Sequence, residues 1–214
     1  MMREIDTVLF DFDGTLVEIS IDFAEMRRGV IALGHEYGIS ANEELYVLEA
    51  LENIFKELMR RDENQAREFR GRAKKLIVDI EIEAAATART MPGAELALKK
   101  LRDRGIKIGI VTRNCRPAVM RSSENADFVY DLLLTRDDVE KVKPDPQHLM
   151  DALAMLGSKP GNALMVGDHP MDILAGKRAG TKTAAVLTLR DRADFIEVAP
   201  DLILTGVEGL LELL

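Results

Sequence analysis

Asp11 and Asp13 stand two residues apart in the run Asp11-Phe12-Asp13-Gly14-Thr15-Leu16, directly after the apolar stretch Thr7–Phe10. Alternate residues of an extended chain share a face, so both carboxylates would point the same way, and Gly14 permits a sharp turn just beyond. Acids this close suit metal binding or a division of labour between nucleophile and general acid/base. A helix cap or a turn would use the same residues, so further groups must decide. Thr112-Arg113-Asn114 follows the apolar run 106–111, where a hydroxyl and open N–H groups at a helix start could hold a phosphoryl oxygen. Lys143 precedes Pro144, which biases it to an extended conformation and keeps its ammonium off a helix face. Gly167-Asp168-His169-Pro170-Met171-Asp172 adds two acids after the apolar run 163–166.

These groups need a scaffold that brings them together. Apolar, β-branched runs at 7–10, 106–111, 128–134, 163–166, 183–187 and 202–204 predict strands. Helical patterns lie between them at about 93–104, 115–123, 146–156, 171–179 and 206–213, several bounded by Gly or Pro. Strands alternating with helices predict an α/β fold, a parallel Rossmann-like sheet with helices on both faces. Such sheets bind ligands at the carboxyl ends of their strands, where all the groups above would converge.

The alternation stops between about 20 and 90. Phe23, Met26, Val30 and Leu33 recur at helical spacing, as do Val47, Leu51, Ile54, Phe55 and Leu58, then Phe69, Ala73, Leu76, Ile77 and Ile80. Met91-Pro92-Gly93 marks the return to the alternating pattern. The expected organisation is an α/β core at 1–17 and 92–214, interrupted by an all-helical cap at 18–91.

Composition narrows the function class. The 214 residues carry 29 Lys and Arg against 37 Asp and Glu, a net charge of −8, which disfavours a nucleic-acid partner. With 47% hydrophobic and 31% charged residues the chain has material for a core, which excludes a disordered class. One cysteine, Cys115, cannot form an internal disulfide, and packing is its expected role. No signal-peptide pattern and no apolar run of membrane-spanning length is present, so a cytoplasmic location and no membrane partner are expected. Locally the balance is stronger: Asp11, Asp13, Asp168 and Asp172 face a single ammonium, Lys143, so a dianionic phosphate could approach only with a cation. Hard oxygen ligands beside phosphate favour Mg²⁺.

DFDGTL (11–16), the strand ending in Thr112, KPDP (143–146) and GDHPMD (167–172), in this order, resemble the haloacid dehalogenase superfamily of phosphoryl-transfer enzymes. The resemblance spans the core, about two-thirds of the chain, and the length and helicity of the insert are similar to the four-helix caps of phosphoglycolate phosphatase-like members. It implies Asp11 as nucleophile and Asp13 as general acid/base, with Thr112 and Lys143 completing the catalytic set. Phosphate would be held by Thr112 and Lys143, and Arg113 and Asn114 are read from their place in the sequence as phosphate-binding through the shape of the loop. Asp11 and Asp168 would ligate Mg²⁺ through carboxylates and Asp13 through its backbone carbonyl, with Asp172 orienting metal-bound water or pairing with Lys143. The implied function is a Mg²⁺-dependent phosphatase acting on a small phosphorylated metabolite, phosphoglycolate foremost, though relatives accept nucleotides, sugar phosphates or pyrophosphate. A sugar phosphomutase is the alternative, and a non-catalytic binding protein on this fold is a third. Asp13 argues against a dehalogenase, because a halide leaving group needs no acid.

Remaining polar residues are read as structural. Arg27 and Arg28 are taken as helix charges paired with Asp22 or Glu25, and Arg67, Arg70, Arg72, Lys74 and Lys75 as an exposed helix face. His35 and His148 are read as ordinary helix residues, and His169 as a side chain that could touch substrate.

Overall fold

The computed structural model describes residues 5–214. Chain order begins with β1 (Thr7–Phe10) and the two-residue β2 (Val17–Glu18). Three helices follow: α1 (Phe23–Glu36), α2 (Val47–Met59) and α3 (Glu63–Ala85). The remainder alternates: β3 (Arg89–Thr90), α4 (Ala94–Asp103), β4 (Lys107–Val111), α5 (Arg116–Ser122), β5 (Leu132–Leu134), α6 (Gln147–Leu156), β6 (Ala163–Gly167), α7 (Pro170–Ala179), β7 (Lys182–Val186) and β8 (Leu202–Leu204).

Two compact units emerge, one of residues up to Ile19 together with Thr87–Leu214, the other Ser20–Ala86. The first holds a six-stranded sheet in the order β5-β4-β1-β6-β7-β8, with every pairing parallel. β1 is therefore interior, and Val8, Leu9 and Phe10 are wholly buried, as an apolar run covered on both faces requires. Val8, Phe10, Leu98, Leu101, Ile108 and Ile110 share one core cluster, while Leu9, Val111, Leu149, Leu153 and Met165 share another. Alternating residues of β1 thus feed different clusters. The short β2–β3 ribbon is antiparallel, pairing Val17 with Thr90.

The fold class read from the sequence is the one observed, with local departures, among them the β2–β3 ribbon, which puts Glu18, Arg89 and Thr90 in strands within the range 18–91 expected to be all-helical. The strand expected over 128–134 pairs only at Leu132–Leu134, because the Asp131 carboxylate accepts the Ile108 N–H (2.7 Å) that a longer ladder would use. The segment expected as a helix at 206–213 tightens into a 3₁₀ turn at Val207–Glu212, closed by bonds such as Gly209 N–H to the Gly206 carbonyl (3.2 Å).

In the second unit, Met26, Val30, Leu33, Leu51, Ile54, Phe69, Ala73 and Ile77 meet in a separate core. Asp22 caps α1 by accepting the Glu25 N–H, and Asp62 caps α3 through the Asn64 and Gln65 N–H groups. Three helices stand where similarity to four-helix caps implied four: α3 runs unbroken for 23 residues, and the Asn42 side chain turns the α1–α2 connection by accepting the Glu44 N–H. Four basic residues of α3 have acidic partners, Arg67 and Lys75 within the helix at Glu63 and Asp79, Arg70 and Arg72 on the neighbouring helices at Glu52 and Glu36. Among the described residues, no helix is long and apolar enough to cross a membrane.

Candidate active site

Asp11 is the first residue past β1, and its N–H donates to the Val166 carbonyl of β6 (2.8 Å), which fixes it at the carboxyl end of the sheet. The chain then doubles back tightly. The Phe12 carbonyl accepts from Leu16 and Val17 N–H groups, and Gly14 adopts φ +82°, a left-handed conformation that side chains disfavour. A second reason for glycine is space, since a Cβ there would lie 2.4 Å from Asp168 Oδ2. Gly167, ending β6, is under a similar constraint: its Cβ would lie 2.2 Å from Asp172 Oδ2.

Lys143 joins the acids. Its side chain is 1% exposed, and Nζ lies 2.7 Å from Asp11 Oδ1 and 2.7 Å from Asp172 Oδ1. Burial alone would lower its pKa, but Asp11 and Asp172 outweigh burial and hold it above the ordinary lysine value, so the ammonium persists. Asp172 spends its second oxygen on the His169 N–H (3.1 Å). Asp168 is served more loosely, by the Thr15 hydroxyl at 3.4 Å and Arg190 Nη1 at 3.6 Å.

The structure brings Asp11, Asp168 and Asp172 together, with one potential ligand oxygen from each lying within 4.8 Å of the others. One lysine does not neutralise them. Burial, then Asp172, raises the Asp11 pKa to about 6 despite Lys143, and burial, then Asp11 and Asp172, raises Asp168 to about 8. A hard divalent cation fits this set: the donors are carboxylate oxygens, Gly14 lets Asp168 approach without a side chain in the way, and the three acids outnumber Lys143 and the more distant Arg190.

A second cluster surrounds Asp13. Asn114 Nδ2 donates to Asp13 Oδ1 at 3.0 Å and Oδ2 at 3.1 Å, and the Thr112 hydroxyl lies 3.4 Å from Oδ2. The Asn114 amide, read from the sequence as phosphate-binding, is thus turned to Asp13. Arg113 sets its guanidinium against Met171 Sδ, while its carbonyl accepts from Arg136 (3.0 Å).

Sequence reasoning missed four residues. Arg190 and Thr15 flank Asp168, and the Thr188 hydroxyl donates to the Gly14 carbonyl. His148, read as an ordinary helix residue, is wholly buried and accepts the Lys143 N–H at Nδ1 (3.3 Å). Only His148 left a usable signal, its place five residues from Lys143. His169, read as a side chain that could touch substrate, caps α7 by accepting the Met171 N–H (3.0 Å).

These shifts imply a pH dependence for the metal-free protein. Asp11 and Asp168 have folded pKa values above the unfolded 3.8, so the folded state holds their protons longer and stability falls as pH rises. His148 and His169 are pushed down to about 3 and about 4, chiefly by burial, and oppose this trend only below the unfolded value of 6.5. Between about pH 6.5 and 8 the Asp168 contribution is the largest of these four. Thermal unfolding in EDTA is expected to show Tm falling across that window, with Mg²⁺ flattening the fall. A rising Tm in EDTA would contradict mutual repulsion among the acids.

The family model described as haloacid dehalogenase-like hydrolase matches residues 8–186. Pyrophosphatase PpaX of Bacillus cereus (strain B4264) is 35% identical over 214 residues, covering 98% of this chain and 96% of that protein. A solved structure from Bacteroides fragilis, described as a haloacid dehalogenase-like hydrolase, superposes with a TM-score of 0.71 at 26% identity, covering 96% of this chain and 99% of the other. A haloacid dehalogenase phosphatase from Thermococcus onnurineus superposes with a TM-score of 0.62 at 25% identity, covering 98% and 97% respectively.

Proposed function

Since the chain belongs to the haloacid dehalogenase-like hydrolases, we propose that it is a Mg²⁺-dependent phosphatase that hydrolyses a small phosphorylated metabolite through an aspartyl-phosphate on Asp11. The observation that carries this reading is the buried Lys143 ammonium held between Asp11 and Asp172 with Asp168 alongside, an anionic crevice with a fixed cation at its centre.

An Asp11 carboxylate oxygen attacks phosphorus, the bond to the leaving oxygen breaks, and Asp13 gives that oxygen its proton. Water then attacks the phosphoryl group, Asp13 takes a proton from it, and the bond to Asp11 breaks to release phosphate. Thr112, Lys143 and the side chain of Arg113 offer hydrogen bonds and charge to the phosphoryl oxygens. Asp11 and Asp168 would hold Mg²⁺ with the Asp13 carbonyl, and Asp172, engaged by Lys143 and the His169 N–H, orients that lysine. A bound Mg²⁺ would supply the positive charge that lets an anionic substrate approach. The catalytic role is assigned to 1–17 and 92–214, and substrate selection to the helical insert 18–91.

Pyrophosphate leads the candidate substrates, because the PpaX relative is named for it and is matched along nearly its whole length. Phosphoglycolate, favoured by the sequence resemblance, comes second. The test is a panel of pyrophosphate, phosphoglycolate, sugar phosphates and nucleotides, with Mg²⁺ and with EDTA, ranked by kcat/KM. Mg²⁺-dependent phosphate release with pyrophosphate ranked first is expected. Turnover undiminished in EDTA would overturn the metal dependence, and isomer interconversion of a bisphosphorylated sugar outrunning phosphate release would replace the phosphatase by a mutase.

A further inference from the structure

Asn114 has every group of its side chain and its own N–H committed. Its N–H donates to the Thr112 hydroxyl (3.0 Å), and its Oδ1 accepts the Cys115 N–H (2.8 Å) at the start of α5. With Oδ1 spent on a donor, the amide orientation is determined, and the NH₂ end must face Asp13, where Nδ2 meets both carboxylate oxygens. Asn114 is 3% exposed, so its amide is shielded from competing water. Asp13 is meanwhile on a loop, past the end of β1 and only partly buried. A loop carboxylate has rotamers to lose, and an immobile amide anchored to a helix start removes them.

We propose that Asn114 is the positioning residue for Asp13, holding its carboxylate beside the Thr112 hydroxyl so that proton transfer to the leaving oxygen is in register with phosphoryl transfer. Thr112 links the two halves: its hydroxyl is 3.4 Å from Asp13 Oδ2 and accepts the Asn114 N–H. This inference rests on the role given to Asp13 above. It differs from a phosphate-binding role for Asn114 in what it controls, because a positioned acid matters most when the leaving oxygen is a poor leaving group.

The experiment compares kcat/KM for two Mg²⁺-supported substrates, an alkyl phosphate and p-nitrophenyl phosphate, in the wild type, Asn114→Ala, Asn114→Ser and Asp13→Asn. This ratio reports only steps through departure of the leaving group, so hydrolysis of the intermediate does not mask the effect. Asn114→Ala is expected to lose roughly 30-fold or more with the alkyl ester, at least tenfold more than with the aryl ester, and mainly in kcat. Because Asn114→Ala also removes the oxygen that accepts the Cys115 N–H, Asn114→Ser is the control for folding: it keeps a short accepting oxygen at the start of α5, adds no charge beside Asp13, does not reach that carboxylate, and is expected to show the same leaving-group discrimination at near wild-type Tm. Equal losses on both substrates, or a loss confined to KM, would overturn the proposal and return Asn114 to phosphate binding. Asp13→Asn separates the two levels of the argument. Should it fail to discriminate between leaving groups, the role of Asp13 falls; should it discriminate while the Asn114 variants do not, only the inference about Asn114 falls.

Discussion

Replacing Asp11 with Asn is expected to lower kcat by roughly four orders of magnitude or more, the scale of losing a nucleophile that acts with its neighbours as a unit. Phosphate release at saturating Mg²⁺ and substrate measures it, and acid-quenched single turnovers are expected to show no phosphorylated protein. The fold should not suffer. Asn is close to isosteric with Asp, and burial with Asp172 nearby makes the Asp11 charge unfavourable above about pH 6. In EDTA at pH 8 the variant is therefore expected to melt no lower than the wild type, so inactivity with retained Tm separates chemistry from stability. Undiminished turnover would remove Asp11 from the nucleophile's role.

Lys143→Met is expected to produce the largest loss of stability. Lys143 is the buried partner of both Asp11 and Asp172, and removing it leaves two carboxylates without their counter-ion in a site that water barely reaches. Breaking a buried pair in this way costs about 3–5 kcal/mol, or on the order of 10 °C in Tm for a chain of this size. The sign follows from the acids: their ionised forms become harder to accommodate, so the deficit should be greater at pH 8 than at pH 5. Mg²⁺ should restore part of it, because a cation at Asp11 and Asp168 answers the same excess charge. Activity should fall as well, since the ammonium that would face the phosphoryl oxygens is gone. A variant that melts within 2–3 °C of wild type in EDTA at pH 8 would show that Lys143 is not needed to balance the acids.

Much of this molecule was legible because its motifs sit where apolar runs stop. Thr7–Phe10, Lys107–Val111 and Ala163–Gly167 become adjacent strands, so the acids and the threonine that follow them necessarily share one edge of the sheet. Lys143 was legible through the proline after it. What stayed hidden depends on contacts between distant residues that carry no local pattern. Asn114 reaches Asp13 across 101 positions, and Arg190 reaches Asp168 from a loop with no periodicity. His148 obeyed its helix pattern while making a second contact that periodicity does not encode. Asp131 shortened β5 by a side-chain bond that imitates the backbone, which strand propensity does not anticipate.

The separations within the crevice bear on how the chain reaches its native state. Lys143 and Asp11 are 132 positions apart, and Thr15 and Asp168 are 153 apart. No early, locally folded fragment holds more than a part of the proposed cation site, so an ion would have nothing to grip until β1 and β6 had already paired. Ligands of that kind stabilise only the finished state. Their effect falls on the rate of unfolding, while the slow assembly of non-local strands proceeds at its own pace. Magnesium would then act as a latch on a completed sheet and not as a template for building it.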